Sequence, residues 1–275
     1  MARYLTDLAD VLRAAGLTVI EVDGWKTRAR SSGGYADGRP THLMIHHTAS
    51  PPHTDGQRDV DYIVAESAVK PIANIYTDRK GVVWVCAAGA TNTNGEGRDT
   101  WGGGVPDNAM NLYAISNEIA NTGTGEPYPA EQQQSVLTSS AAICRAYSIP
   151  VDHARGHFEW TSRKIDPSGP SMWAASGKWA MDEFRDDVAA TINPPPIDQP
   201  EGEPIAMNGI VAIYQPVPEL VAAGMNKTFG LLPLGDVRHL SGPDAELDRP
   251  TIPIRGAEHY QQCEALDAVW RNRRG

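Results

Sequence analysis

Three groups of polar residues stand where an apolar context should exclude them, and together they could hold a metal ion and hydrolyse a bond. The first is His46-His47, which ends the apolar run Leu43-Met44-Ile45. Consecutive strand residues point to opposite faces, so only one of the pair can enter a given site. The second is Gly156-His157, followed by Lys164-Ile165-Asp166-Pro167. The third is Glu118, set among Ile115, Ile119 and Ala120. Burying a carboxylate there is costly unless it is paired or put to use.

Each group has a plainer reading. A strand histidine is more often a satisfied structural residue, an Asp-Pro pair commonly starts a turn, and a strand glutamate can lie at an edge or on a solvated face. Taken together, two histidines and a carboxylate make three ligands that leave a fourth zinc position open for water. His153, four residues before His157, has the spacing of two ligands on a helix. Gly156 and the strand or loop expected around it make His153 the poorer candidate. His42, His53, His239 and His259 read as surface or structural residues. Trp101, Trp160 and Trp173 read either as the lining of a sugar groove or as core.

These residues need elements to position them. Leu5, Leu8, Val11, Leu12 and Ala15 share one helical face, with Thr6 as cap and Gly16 as stop. A strand is expected at Leu17 to Val22, a loop from Lys26 to Pro40, and a strand over Leu43 to His47 that runs into a turn at Thr48 to Pro52. Val60, Ile63, Val64 and Ala68 suggest a helix. Ile72 to Tyr76 and Val82 to Cys86 bracket Asp78-Arg79-Lys80-Gly81, a strand-turn-strand signal. Ala88 to Met110 is dominated by Gly, Asn, Thr and Asp, and a loop of that length is usually functional or disordered. Tyr113 to Ala120 is a further strand. Pro129 opens a helix that reaches about Tyr147. A helix capped by Ser176 is expected to bury Trp179, Met181, Phe184 and Val188. Strands alternating with helices make an α/β domain.

Composition changes after that. Residues 193–204 are rich in Pro and acidic groups and read as a stiff linker. Beyond it, Ile210 to Tyr214, Thr228 to Leu234 and Val237 to Leu240 look like strands, and Glu258 to Arg271 like a helix with Cys263, Leu266 and Trp270 on one face. Residues 205–275 thus form a small α+β module.

The 275 residues carry a net charge of -10, which argues against nucleic acid or an anionic membrane surface as partner, Arg271, Arg273 and Arg274 notwithstanding. With 41% hydrophobic and 21% charged residues the composition is that of a globular protein. No apolar run is long enough to span a bilayer. Met1 to Leu12 contains Asp7 and Asp10 and no cleavage-site pattern, so synthesis and folding in a cytoplasm are expected. Cys86, Cys144 and Cys263 read as reduced, mostly buried thiols.

In order along the chain, His46-His47-Thr48-Ala49-Ser50, Asn117-Glu118-Ile119-Ala120-Asn121 and Gly156-His157 with Lys164-Ile165-Asp166-Pro167 resemble the type-2 N-acetylmuramoyl-L-alanine amidase family. That family shares its fold with animal peptidoglycan recognition proteins. Ala9-Asp10-Val11-Leu12-Arg13-Ala14-Ala15-Gly16, with Glu21-Val22-Asp23-Gly24-Trp25-Lys26-Thr27-Arg28, also resembles amidase endolysins of phages that infect actinobacteria. The resemblance covers roughly residues 1 to 190. It implies an α/β catalytic domain over residues 1–192, with a central mixed β-sheet flanked by helices. The linker and the small module beyond it match no wall-binding motif, and a targeting role for residues 205–275 is expected from the architecture alone.

The resemblance implies His46, His157 and Asp166 as zinc ligands, the third position being Asp in some members and Cys in others. It makes Glu118 the catalytic glutamate and Lys164 a lysine that faces the scissile carbonyl. The bond cut joins the lactyl carbonyl of N-acetylmuramic acid to L-alanine of the stem peptide. Peptidoglycan is then the partner, a monomer is favoured, and the enzyme acts on the wall after release from the host cytoplasm. Two positions depart from the pattern. Ala73-Asn74 stand where many relatives carry Tyr-His, which places more weight on Glu118, and Thr93-Asn94-Gly95 stand where relatives often carry a histidine, so the substrate contact there must differ. The alternatives are a non-catalytic peptidoglycan-recognition protein, a cytoplasmic amidase that recycles muropeptides, and a virion structural protein with local wall-opening activity.

Overall fold

The computed structural model describes residues 4–54 and 56–193, together with the backbone of four strands, 212–216, 228–231, 237–240 and 251–254. The chain divides into two compact units, Met1–Ile197 and Asp198–Gly275.

A six-stranded sheet organises the first unit. In chain order the strands are β1 (Val19–Glu21), β2 (His42–His47), β3 (Ile75–Thr77), β4 (Val83–Val85), β5 (Ala114–Ile119) and β6 (Ala154–Gly156). Across the sheet they run β1-β4-β3-β5-β2-β6. Only β3 and β4 pair antiparallel, through the tight turn at Asp78–Gly81, so the sheet is mixed. Gly81 is required in that turn. Its φ is 73°, and a Cβ there would stand 2.6 Å from the Glu131 carbonyl oxygen.

The helices are α1 (Leu8–Ala14), α2 (Gly56–Asp61), which continues as a turn of π-helix over Tyr62–Glu66, α3 (Ala130–Tyr147), α4 (His157–Trp160) and α5 (Met181–Ile192). One sheet face presents Leu43, Ile45, Ile75, Val83, Val85 and Ile115 to Leu8 and Leu12 of α1, Val136 and Ile143 of α3, and Phe184 and Val188 of α5. Each such side chain stabilises the fold by about 1.5–3 kcal/mol on burial. Gln132 of α3 adds a polar tie, donating to the Thr77 and Ala120 carbonyls where β3 and β5 end.

The other face is covered in two patches. Val60 and Ile63 pack on Tyr76 and Cys86, while Val105, Met110 and Trp160 pack on Met44 and Ala114. His46 and Glu118 stand between these patches, near the C-terminal ends of β2 and β5. Parallel strands characteristically offer binding residues at that end.

Several boundaries differ from those expected. Thr6 does not cap α1. The N-cap is Asp7, whose side chain makes no cap bond and instead accepts from the Tyr147 hydroxyl at 3.1 Å. Ser176 caps nothing, because Gly177 turns the chain with φ 74° and Lys178 pairs with Ser168, so α5 begins only at Met181. Trp179 is buried as expected, but before the helix, against Tyr128 and Trp173. Ala68 lies beyond the π-turn and is exposed. Cys86 and Cys144 are free and buried, and burial pushes both thiols up to about 12.

In the second unit β7 (Ala212–Pro216), β8 (Thr228–Leu231), β9 (Val237–Leu240) and β10 (Thr251–Ile254) form a sheet in the order β10-β7-β8-β9. β10 was not anticipated, and it pairs parallel with β7. Most of the expected linker, the helix at Glu258 to Arg271 and Cys263 lie outside the described residues. Among the described residues no helix is long and apolar enough to cross a membrane.

Candidate active site

β2 supplies His46 as its penultimate residue, and the parallel register places it opposite Glu118 of β5. Tyr76 of β3 lies on the other side of Glu118 in the same row. Neighbours in register share a face, so His46, Glu118 and Tyr76 point to one side of the sheet. β6 ends at Gly156 and delivers His157 as the first residue of α4, where the Gly156 N–H donates to Glu159 at 2.8 Å. Asp166 returns to the centre from the loop after α4, and the Phe158 N–H donates to its carbonyl at 3.1 Å.

Ligand atoms of His46, His157 and Asp166 lie within 4.8 Å of one another, and all three residues are buried. His46 Nδ1 is 3.1 Å from Asp166 Oδ2, and His157 Nδ1 is 2.9 Å from the same oxygen. Burial pushes His46 down to about 4, aided by the neighbouring His157. Burial alone would raise Asp166, but the His157 and His46 rings against its Oδ2 outweigh it and hold the carboxyl far below the usual carboxylate range.

The donor set fits a cation. His157 Nε2 is 3.0 Å from the Asn94 backbone oxygen, which can only accept, so Nε2 carries a proton. A neutral His157 then turns a bare Nδ1 lone pair toward a carboxylate oxygen. Two acceptors in that contact repel unless positive charge lies between them. Two imidazoles and one carboxylate, with room left for water and substrate, make a ligand set typical of a catalytic zinc site.

Beside this cluster, Glu118 is buried and its Oε2 has no hydrogen-bond partner among the described residues. Burial raises its carboxyl to about 8, and the Asp166 charge adds to the rise. His46, Glu118, His157, Lys164 and Asp166 all line one cleft of about 560 Å³. Lys164 is exposed at its wall. His47 lines the same cleft from the end of β2, with Nδ1 3.3 Å from the Ser168 N–H and 3.4 Å from the Tyr128 hydroxyl. It thereby anchors the segment that carries Asp166.

Residues 36–169 match the model of the family Amidase_2, N-acetylmuramoyl-L-alanine amidase. The chain carries a type-2 amidase domain. All five of these candidate site residues fall inside the matched span. Solved structures similar to the amidase domain include the endolysin N-acetylmuramoyl-L-alanine amidase LysCS from Clostridium intestinale URNW. It is 15% identical with a TM-score of 0.44, over 62% of this chain and 95% of that one. A selenomethionine derivative of AmpD is 20% identical with a TM-score of 0.44, over 61% of this chain and 98% of that one. AmpDh3 from Pseudomonas aeruginosa, solved in complex with anhydromuramic pentapeptide, is 18% identical with a TM-score of 0.42, over 60% and 65%. The comparison with curated proteins finds no match.

The amidase domain keeps the remaining histidines and the three tryptophans away from the cleft. His153 Nδ1 lies 3.0 Å from the Thr41 carbonyl, and its ring stacks on buried His42 at 4.3 Å. Trp160 and Trp173 are core residues, and Trp101 packs against His42 and the Arg155 guanidinium. Ala73 is fully buried, while Asn74 spends its amide on the Ala87 and Gly89 carbonyls. Three residues near the centre carry no sequence signal. Asp59 of α2 is buried and accepts from Ser50 Oγ at 3.0 Å and the Tyr76 hydroxyl at 2.7 Å. A buried aspartate inside a polar helix turn has nothing to mark it in sequence. Asn94 is the third, packed behind both candidate ligand histidines.

Proposed function

We propose that this chain is a zinc-dependent N-acetylmuramoyl-L-alanine amidase of the endolysin type. It hydrolyses the amide between N-acetylmuramic acid and L-alanine in peptidoglycan and so lyses a phage host. The observation that carries this reading is the buried cluster of His46, His157 and Asp166 beside Glu118, whose Oε2 has no partner among the described residues, inside an amidase domain.

His46, His157 and Asp166 would hold the zinc, which when bound supplies the Lewis acidity that activates water and polarises the scissile carbonyl. Glu118 accepts the proton of the attacking water and returns it to the leaving nitrogen of L-alanine. Positive charge among the three ligands favours its carboxylate form, and its raised proton affinity lets it serve as acid in the second half. Lys164, at the cleft wall, faces the negative charge that develops on the carbonyl oxygen, a role typically worth roughly 3 to 4 kcal/mol. The second unit holds the enzyme on the wall and raises its local concentration there. The protein acts as a monomer, made in the host cytoplasm and released to the wall.

The test is digestion of purified actinobacterial peptidoglycan after chelation and after zinc add-back, with Glu118→Ala and Asp166→Ala in parallel. Zinc-restored release of L-alanine amino termini, without new reducing ends and absent from both variants, supports the reading. Wall binding with no new amino termini under any metal overturns it in favour of a recognition protein. Turnover confined to soluble anhydro-muropeptides overturns the lytic role in favour of recycling.

A further inference from the structure

Asn94 belongs to the Gly- and Asn-rich segment where the sequence suggests a substrate contact, yet it is only 1% exposed. Neighbouring Thr93 lines the cleft, whereas Asn94 lies behind it. Its side-chain Oδ1 is 3.1 Å from His46 Nε2, and its backbone oxygen is 3.0 Å from His157 Nε2. One residue thus meets the far side of both candidate ligand rings. Its own position is fixed twice. Its N–H donates to Asn111 Oδ1 at 2.8 Å, and its Nδ2 donates to Ser116 Oγ at 3.3 Å on β5.

An imidazole that binds a metal through one nitrogen must carry its proton on the other, and an acceptor at that second nitrogen fixes tautomer and ring angle together. Both Asn94 oxygens are such acceptors. The backbone oxygen has no donor alternative, and Oδ1 is oriented by the Ser116 bond to Nδ2. We propose that Asn94 is the positioning residue of the metal centre. With its two oxygens it holds His46 and His157 as Nε2–H tautomers, so that both Nδ1 lone pairs converge with Asp166 Oδ2 on the ion. This inference rests on the metal-site reading above. It reassigns a residue expected at the substrate to the support of the ligands. It also gives the two rings a shared control, because displacing one residue disturbs both.

Zinc affinity of the full chain, measured by competition with a chromophoric chelator, tests it without reference to activity. Asn94→Ala is expected to bind zinc about 10- to 100-fold more weakly, the range typical for loss of such a partner. Asn94→Asp, which keeps the acceptor, is expected to recover most of that loss, a rescue that a purely structural role does not give. Equal affinity of wild type and Asn94→Ala overturns the inference and leaves the metal site standing. Equal and negligible affinity of wild type and Asp166→Ala overturns the metal site itself. Should Asn94→Ala fail to fold, long-range proton–nitrogen NMR of the zinc-loaded wild type decides the matter. Protons on Nε2 of both His46 and His157 support the inference, and a proton on Nδ1 of either overturns it.

Discussion

His46 and Glu118 lie directly opposite each other in the parallel pair of β2 and β5. A candidate metal ligand and the buried carboxylate next to it are therefore juxtaposed by strand register. Side chains alternate along a strand, so a slip of one residue in that pair would send Glu118 to the helix-covered face. The six apolar or hydrogen-bonded pairs of this ladder, from His42 with Ala114 to His47 with Ile119, are what prevent the slip.

Glu118→Gln keeps the shape of the side chain and removes its basicity. Turnover of peptidoglycan is expected to fall by about 10²–10⁴-fold, the usual contribution of a positioned acid–base group. Zinc affinity, read by chelator competition, should stay within a few-fold of wild type. A variant that retains most of its turnover would remove Glu118 from the chemistry.

Without metal, stability should depend on pH through the same side chain. Glu118 keeps its proton up to about 8 in the fold, against an ordinary value of 4.5. Between those values the folded protein binds a proton that the unfolded chain has released, so stability falls as pH rises, by up to about 1.4 kcal/mol per unit. His46 and His42, pushed by burial from 6.5 to about 4, act in the opposite sense below 6.5. There the unfolded chain takes up protons that the fold refuses, and stability falls as pH drops. The Glu118 effect is isolated between about 6.5 and 8. Denaturant unfolding with chelator present should show wild type losing stability across that window and Glu118→Gln holding level; parallel slopes would count against the assignment.

Arg79 and Glu126 govern the rim of the cleft. Arg79 Nε and Nη2 donate to the two Glu126 oxygens at 2.7 and 3.0 Å, and Nη2 also donates to the Ser50 carbonyl at 3.1 Å. Glu126 in turn accepts from the Thr122 N–H at 2.8 Å, next to Gly123 and Thr124 at the cleft wall. Glu126→Ala leaves the half-buried guanidinium with one partner fewer and should cost about 1–3 kcal/mol in unfolding free energy. Its kinetic signature is a KM that rises more than kcat falls. An unchanged KM with a lowered kcat would mean that the rim reports on chemistry and not on substrate position.

The sequence displays His46 and Glu118 because each stands at or near an apolar strand run, where a polar residue has to be explained, and His157 through its place in the Gly-His motif ahead of Lys164-Ile165-Asp166-Pro167. The same contrast makes β2, β5 and α3 readable. Asn94 offers no contrast. It sits among Asn92, Asn108 and several glycines, and its meaning arises from ring nitrogens supplied by distant strands. Asp59 and Tyr76 are hidden for a similar reason, since a helix turn and a strand that are unremarkable separately become a buried hydrogen bond only when packed. Ser176 followed by apolar residues looks like a helix cap, yet α5 begins only at Met181. The positive φ of Gly177 and the pairing of Lys178 with Ser168 keep the chain extended for several more residues.

The separation of His46 from Asp166, 120 positions along the chain, has a consequence for how the protein comes into being. Ligands that close together in sequence can recruit an ion early and let it nucleate the fold. Here His46 leaves the ribosome long before Asp166, and the two meet only after β5 and β6 have docked on either side of β2, a slow class of event. On the metal-site reading, an ion would therefore enter a nearly finished scaffold. If zinc is that ion, a cell poor in it would accumulate folded, silent protein that later supply could switch on, rather than unfolded chains destined for proteolysis.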